Sequence, residues 1–234
     1  METPQTEAVI SIQDLKFSYG PSDEPALVIP TWQVSMGDQV FLFGESGSGK
    51  STLLGLLAGL QVPGKGRVSI LGSDIAQFSA RQRDSFRAQH IGVVFQQFNL
   101  ISYLSVLDNV LLAAQFGLGG TSHQLERARE LLTRMNLPAS MHDDPANQLS
   151  IGQQQRVAAA RALMGSPEII IADEPTSALD EGTRERFLEL LMQECRRAQT
   201  TLILVSHDPR LASQFDRRIA LASLNRATAM ERNP

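Results

Sequence analysis

Gly44-Glu45-Ser46-Gly47-Ser48-Gly49-Lys50-Ser51 is the stretch on which the fold turns. It fits G-x-x-x-x-G-K-[ST], the pattern of a phosphate-cradling loop. Glycines at 44, 47 and 49 let the backbone turn tightly and aim successive N–H groups inward. The flanking sequence separates such a loop from a merely flexible Gly/Ser turn. Before it, Gln39–Phe43 is a short apolar run that reads as a strand; after it, apolar residues recur at helical spacing from Lys50 to Leu60. The order strand, loop, helix also supplies the positive N-terminal end of the helix. In that setting Lys50 brings a point charge to the β- and γ-phosphates and Ser51 a hydroxyl for Mg²⁺. Glu45, Ser46, Ser48 and Thr52 share the loop and its first helical turn, and join the candidate phosphate-binding residues.

The second informative stretch is Ile169-Ile170-Ile171-Ala172-Asp173-Glu174. An uninterrupted apolar run is typical of a strand buried on both faces of a parallel sheet. Two carboxylates at its C-terminal end stand where such sheets meet their ligands. There Asp173 can hold Mg²⁺ through water, and Glu174 can orient and polarise an attacking water. Phosphoryl transfer needs this positioning and charge neutralisation more than covalent chemistry.

Outward from these anchors the chain alternates. Val9–Tyr19 reads as an edge strand, Pro21–Pro25 as a loop, Arg67–Leu71 as a strand, Ala80–Gln89 as a helix and Ile91–Phe95 as a strand. Helical periodicity fills Ser105–Phe116 and Ser122–Asn136, separated by Gly117, Gly119 and Gly120, and an Ala-rich helix covers Gly152–Met164. A helix over Thr183–Ala198, a strand over Thr201–Ser206, a short helix over Pro209–Gln214 and a strand over Arg218–Leu221 complete the reading. The fold class is α/β with a helical insert at roughly 97–163.

Composition narrows the function. Of 234 residues 42% are hydrophobic and 20% charged, with a net charge of -4. Lys16, Lys50 and Lys65 are the only lysines, so nothing marks a general binder of nucleic-acid backbones. Cys195 is the only cysteine, which suits a reducing compartment, and a buried or partly buried helix position is its expected place. Met1–Glu7 is polar and acidic, unlike a signal peptide. Apolar runs stop well short of the ~18 residues that a membrane span needs.

A further motif gives a family resemblance. Leu149-Ser-Ile-Gly-Gln-Gln-Gln-Arg156 resembles the signature sequence of ATP-binding-cassette (ABC) ATPases, usually LSGGQ, and it stands at the family's spacing before the acidic strand. Other positions then fall into register. Tyr19 is similar to the aromatic that stacks on adenine. Gln96, closing Val93-Val-Phe-Gln, resembles the glutamine that links Mg²⁺ to the membrane partner. Asp180, in Ser177-Ala-Leu-Asp180, resembles the loop that crosses the dimer interface, and His207 the histidine that contacts the γ-phosphate. The stretches Arg83–Leu100 and Leu107-Asp-Asn-Val110 look most like the lipoprotein-releasing and macrolide-exporting branch.

The resemblance implies a P-loop NTPase core with a parallel sheet, an antiparallel β subdomain and an inserted helical subdomain. The core would take 1–96 and 164–234, and the signature-bearing helices 97–163. It implies Mg²⁺-dependent ATP hydrolysis in a homodimer, with Ser150, Gly152 and Gln153 of one copy capping the γ-phosphate held by the other. It implies an integral membrane permease contacting the region Gln96–Tyr103, where Phe98, Leu100 and Tyr103 suit such a contact, and a peripheral place on the cytoplasmic face of the inner membrane. The alternative is a force-transmitting regulator resembling the cell-division ABC ATPase. DNA-repair heads of the same family are interrupted by long coiled coils, which this chain lacks. One departure stands out: Ile151 occupies a signature position where the family usually has glycine. A β-branched residue avoids positive φ, so either Ile151 strains the capping loop or, the outcome expected of a working cassette, its backbone lies at negative φ.

Overall fold

The computed structural model describes residues 8–20, 23–117 and 122–227. Met1–Glu7, Pro21 and Ser22 of the expected loop, and Gly119 and Gly120 between the two expected helices lie outside the described residues. In chain order the elements are β1 (Ala8–Phe17), β2 (Leu27–Ser35), β3 (Gln39–Phe43), α1 (Lys50–Leu57), β4 (Lys65–Ile70), β5 (Ser73–Asp74), α2 (Ala80–His90), β6 (Ile91–Val94), α3 (Val106–Gly117), α4 (Ser122–Arg134), α5 (Ile151–Leu163), β7 (Ile169–Asp173), α6 (Glu181–Arg197), β8 (Thr201–Ser206), β9 (Arg217–Ala220) and α7 (Leu221–Leu224). Pro209–Gln214, expected as a short helix, is a six-residue 3-10 helix capped by Asp208. The described residues divide into two compact units, one drawn from 1–84 and 205–234 and the other from 85–204.

In the first unit β2, β1, β4 and β5 form an antiparallel sheet in that order. β1 is therefore an interior strand, not the edge strand expected. It pairs with β2 from Ala8↔Ser35 to Phe17↔Leu27 and with β4 from Ile10↔Ile70 to Lys16↔Lys65. A bulge explains why its apolar residues change phase. Ile10 and Ile12 are buried, and so are Leu15 and Phe17, one step out of alternation. Between them Asp14 takes φ 47, and the ladder to β4 shifts register between Gln13 and Lys16. Gly66, opposite, has no room for a side chain: a Cβ there would lie 2.3 Å from the Asp14 carbonyl oxygen. Pro30 is tolerated in β2 because that strand is the sheet's edge, where a missing N–H costs no ladder bond.

The same unit holds β3 parallel to β9, in register from Val40↔Arg217 to Phe43↔Ala220. Phe41 packs on Phe215 with ring centroids 5.4 Å apart, and Arg217 pairs with Asp38. α1 buries Thr52, Leu53, Leu54, Leu56 and Leu57. The last expected strand ends at Ala220, since Leu221 opens α7.

In the second unit β6 runs parallel to β7, from Ile91↔Ile169 to Val94↔Ala172, and β8 lies beside β7. The helices α3, α4 and α5 pack on one another. α5 also presses directly on β6. At Gly92 a Cβ would come 2.2 Å from the carbonyl oxygen of Ala162, so only glycine permits this approach. Cys195 is fully buried on α6, as expected. Burial first, and then the adjacent Glu194 carboxylate, push its thiol up to about 12. A thiol so placed is neutral and inert at ordinary pH. At pH 8 the folded chain is expected to leave Ellman's reagent unreacted over minutes, and to react with one equivalent once unfolded in guanidinium; prompt reaction of the folded chain would contradict this burial.

Candidate functional site

The loop Gly44–Ser51 is built by backbone geometry. Gly47 has φ 80 and Gly49 φ 98, both in the left-handed region that side chains avoid. Gly49 is the N-cap of α1, and a Cβ on it would fall 2.7 Å from Leu27 Cδ2 and 3.3 Å from the Ala26 carbonyl. Gly44 lies under Ser48, whose hydroxyl would stand 2.8 Å from a Cβ at 44. The loop therefore closes on itself at both ends. Lys50 folds back over it: its ammonium donates to the carbonyls of Gly44 at 2.7 Å and Glu45 at 2.8 Å. The cation is thus held over the loop, at the positive end of α1 and with no acidic residue in that helix's first turn. Ser51 is exposed on the same turn, as are Glu45 and Ser46 on the loop.

Tyr19 belongs to this unit and is 68% exposed. Its ring is fixed from two sides. Phe17 meets it edge-on at 5.1 Å, and its hydroxyl shares a 2.7 Å hydrogen bond with Thr52 Oγ1, in the helix that follows the loop. An immobilised aromatic with an open face is a stacking platform. His207, also in this unit, is exposed just beyond β8.

The second unit carries the remaining candidates. β7 ends at Asp173, and Glu174 follows with φ 45. A non-glycine residue in that region stores roughly 1 kcal/mol or more of strain, a feature common where a side chain is aimed for function. Gln96 is exposed after β6. Asp180 caps α6 by accepting from the Thr183 N–H at 3.0 Å, and its bonds to Thr183 hold the carboxyl below its ordinary range.

The signature residues open α5. Ser150 is its N-cap, with Oγ accepting from the Gln153 N–H at 3.4 Å, and Gln153 Oε1 accepts from the Ser150 N–H at 2.8 Å. This is a reciprocal capping box. A hydroxyl that accepts there retains its own O–H to donate. Gly152 faces α6, where a Cβ would meet Thr183 Cγ2 at 2.9 Å. Ile151 is the first residue of the helix, is 51% exposed and is not among the positive-φ residues, in agreement with the expectation at this position. The missing glycine therefore carries no backbone strain.

Two residues that sequence reasoning gave no role shape the segment after Gln96. Arg161, on α5, donates to the carbonyls of Phe98 and Asn99, both at 2.7 Å, and burial lowers its pKa. Asn109, fully buried on α3, accepts from the Ile101 N–H at 2.8 Å and donates to the carbonyls of Ile101 and Ser105 at 3.0 Å. Together they fix the backbone from Phe98 to Ser105. Tyr103 projects from it 77% exposed, while Phe98 and Leu100 are half-buried. The signals were present: an arginine within an Ala-rich helix, and an asparagine inside an apolar helix face, each require partners.

Comparison with known proteins gives the family. The family profile described as "ABC transporter" matches residues 29–177. The chain is 43% identical over 215 residues to the macrolide export ATP-binding/permease protein MacB of Syntrophobacter fumaroxidans, covering 90% of this chain and 30% of that protein. It is 40% identical over 219 residues to the ABC transporter ATP-binding protein YbbA of Escherichia coli, covering 93% of this chain and 96% of that one. It thus spans about a third of the MacB relatives and nearly all of YbbA. Among solved structures it resembles the dimeric post-hydrolysis state of the ATP-binding cassette MJ0796 bound to ADP and Pi, with TM-score 0.81 and 35% identity, covering 93% of this chain and 95% of that one.

Because Ile151 already sits in a helical conformation, Ile151→Gly is expected to bring no gain in ATP turnover and to lower stability by about 1 kcal/mol or less. Urea unfolding and steady-state hydrolysis check both; faster turnover in the glycine variant would show that isoleucine does strain the signature.

Proposed function

The chain belongs to the ABC transporter ATP-binding family, and from that premise we propose that it dimerises on ATP with a second copy of itself and drives an integral membrane permease of the export or lipoprotein-releasing type. It is an ABC-type ATPase. The observation that carries the reading is the loop Gly44–Lys50, with its two left-handed glycines and an ammonium held across it at the start of α1. The likeness to MacB over 90% of this chain supports the branch.

In this reading the loop N–H groups and Lys50 hold the β- and γ-phosphates, with Glu45, Ser46, Ser48 and Thr52 in the loop and first turn, and Tyr19 stacks on adenine. Ser51, Gln96 and Asp173 offer oxygen donors suited to Mg²⁺. Among the described residues no three His, Cys, Asp or Glu side chains form a metal cage; Mg²⁺ that arrives with a nucleotide would need none, since it is commonly held by one or two protein oxygens beside substrate phosphates. When bound, the ion neutralises charge on the phosphates. Glu174 orients and polarises the attacking water, and His207 contacts the γ-phosphate. Ser150, Gly152 and Gln153 cap that phosphate from the second copy, with Asp180 near the interface. ATP then favours the closed dimer and its hydrolysis releases it, which is the differential affinity that performs work.

The helices of 97–163 serve as the signature subdomain, and Gln96–Tyr103 receives a helix of the permease. No helix among the described residues is long and apolar enough to cross a membrane. A place on the cytoplasmic face, through the permease, follows from the family reading.

Lys50→Ala is expected to reduce Mg²⁺-dependent ATPase activity to near background, since it removes charge neutralisation where it is needed most; near-parental turnover of the purified variant would refute the assignment of Lys50. Glu174→Gln keeps the shape and loses the charge that polarises water. It should bind ATP, turn over at least roughly 10²-fold more slowly, and elute as a dimer on size-exclusion chromatography with ATP. A monomer hydrolysing at the parental rate would exclude Glu174 as the catalytic carboxylate.

A further inference from the structure

Asn225 lies just beyond α7, far along the chain from the phosphate loop, yet its side chain is spent on the surroundings of that loop. It is 1% exposed. Its Oδ1 accepts from the Val28 N–H at 2.8 Å and the Ala227 N–H at 3.1 Å. Its Nδ2 donates to the Ala26 carbonyl at 3.0 Å and, at the longer distance of 3.4 Å, to the carbonyl of Ser48 within the loop. The backbone of the same segment adds two bonds: Asn225 N–H to Leu221 O at 2.7 Å, and Arg226 N–H to Val28 O at 2.8 Å.

The neighbours of this amide are the atoms that confine the loop. Ala26 O and Leu27 Cδ2 are the groups that a Cβ on Gly49 would strike. Leu221 Cβ stands 3.4 Å from the place a Cβ on Gly44 would take. The turn Leu221–Asn225 therefore touches the loop near both ends, Gly44 through Leu221 and Ser48 through Asn225. A peptide plane has its carbonyl and the next N–H on opposite sides. Holding the Ser48 carbonyl toward Asn225 therefore directs the Gly49 N–H the other way.

We propose that Asn225 is a positioning residue for the nucleotide: by anchoring the Ser48 carbonyl to the start of β2, it presets the loop amides that receive the phosphates. This rests on the reading of Gly44–Thr52 as the ATP phosphate site. Asn225 does not touch ATP; its effect is to reduce the ordering that binding must otherwise impose. It should therefore act on affinity more than on the chemical step. The side-chain amide is needed in one orientation, with oxygen toward two N–H groups and nitrogen toward two carbonyls. Asn225→Asp keeps the acceptor for Val28 and Ala227, and sets a carboxylate oxygen against the carbonyls of Ala26 and Ser48.

The test uses the full chain, with Asn225→Asp, Asn225→Ala and, as a control in the same turn, Ser223→Ala, whose hydroxyl is exposed and bonds only to Ala220 O among the described residues. Binding of a trinitrophenyl-ATP probe and steady-state ATP kinetics are measured beside amide hydrogen exchange without nucleotide. Both Asn225 variants should weaken probe binding and raise KM for ATP by roughly 3- to 10-fold, the worth of one or two neutral hydrogen bonds. Their kcat should stay within about twofold of the parent, and Ser223→Ala should match the parent. Exchange should quicken at Ser48–Ser51 while β1 and β4 remain protected. Unchanged affinity in a folded Asn225→Asp overturns the proposal, and so does a uniform loss of protection, which would make Asn225 a general stabiliser. If the parent itself binds no probe, the ATP reading fails, and the exchange pattern still reports separately whether Asn225 orders the loop.

Discussion

The first unit is organised by a conformational demand that only glycine meets. Positive φ at Gly47 and Gly49 turns the backbone so that its N–H groups converge, and a side chain at 49 would collide with Leu27 and Ala26. The loop must therefore lie against the start of β2, which fixes where Tyr19, Lys50 and Thr52 can stand. The bond between the Tyr19 hydroxyl and Thr52 makes the aromatic platform an extension of α1. One constraint of backbone sterics thus sets the spacing between a surface suited to a base and a cradle suited to phosphates.

Much of this was legible from local sequence. β3, α1 and β7 were readable because continuous apolar runs abut motifs with their own chemistry, and β8 because Leu202-Ile203-Leu204-Val205 is an unbroken apolar run. Ile151 was readable too, since a β-branched residue at a helix start has one comfortable conformation. What local pattern could not supply was pairing. β1 shows the alternation of a half-buried strand whether it lies at an edge or inside, and its partners β2 and β4 decide that question. β2 was obscured by Pro30 and by a polar interruption, and its pairing with β1 is what makes it a strand. Asn225 had no local signal at all: its contacts with Val28, Ala26 and Ser48 span 197, 199 and 177 residues.

The second unit follows a different rule. Its candidate residues sit at ends of elements: Asp173 at the end of β7, Ser150 at the start of α5, Asp180 at the start of α6. Caps do two things at once. Ser150 and Asp180 each satisfy an orphan N–H of their own helix, so their geometry is set before any ligand arrives. That economy also explains why a reader of sequence can mistake such residues for purely structural ones.

α5 is also a strut. Its C-terminal half is seated on β6 where Gly92 admits the Ala162 carbonyl, and Arg161 grips the backbone of Phe98 and Asn99. Its other end is Ser150, some eleven residues or about 16 Å along the axis. A helix transmits displacement along its length with little loss. The Phe98–Asn99 backbone and the Ser150 hydroxyl are therefore held at a set separation by one helix. Its two ends thus belong to one rigid ruler: the capping hydroxyl and the backbone that carries Tyr103 are indexed to the same helix.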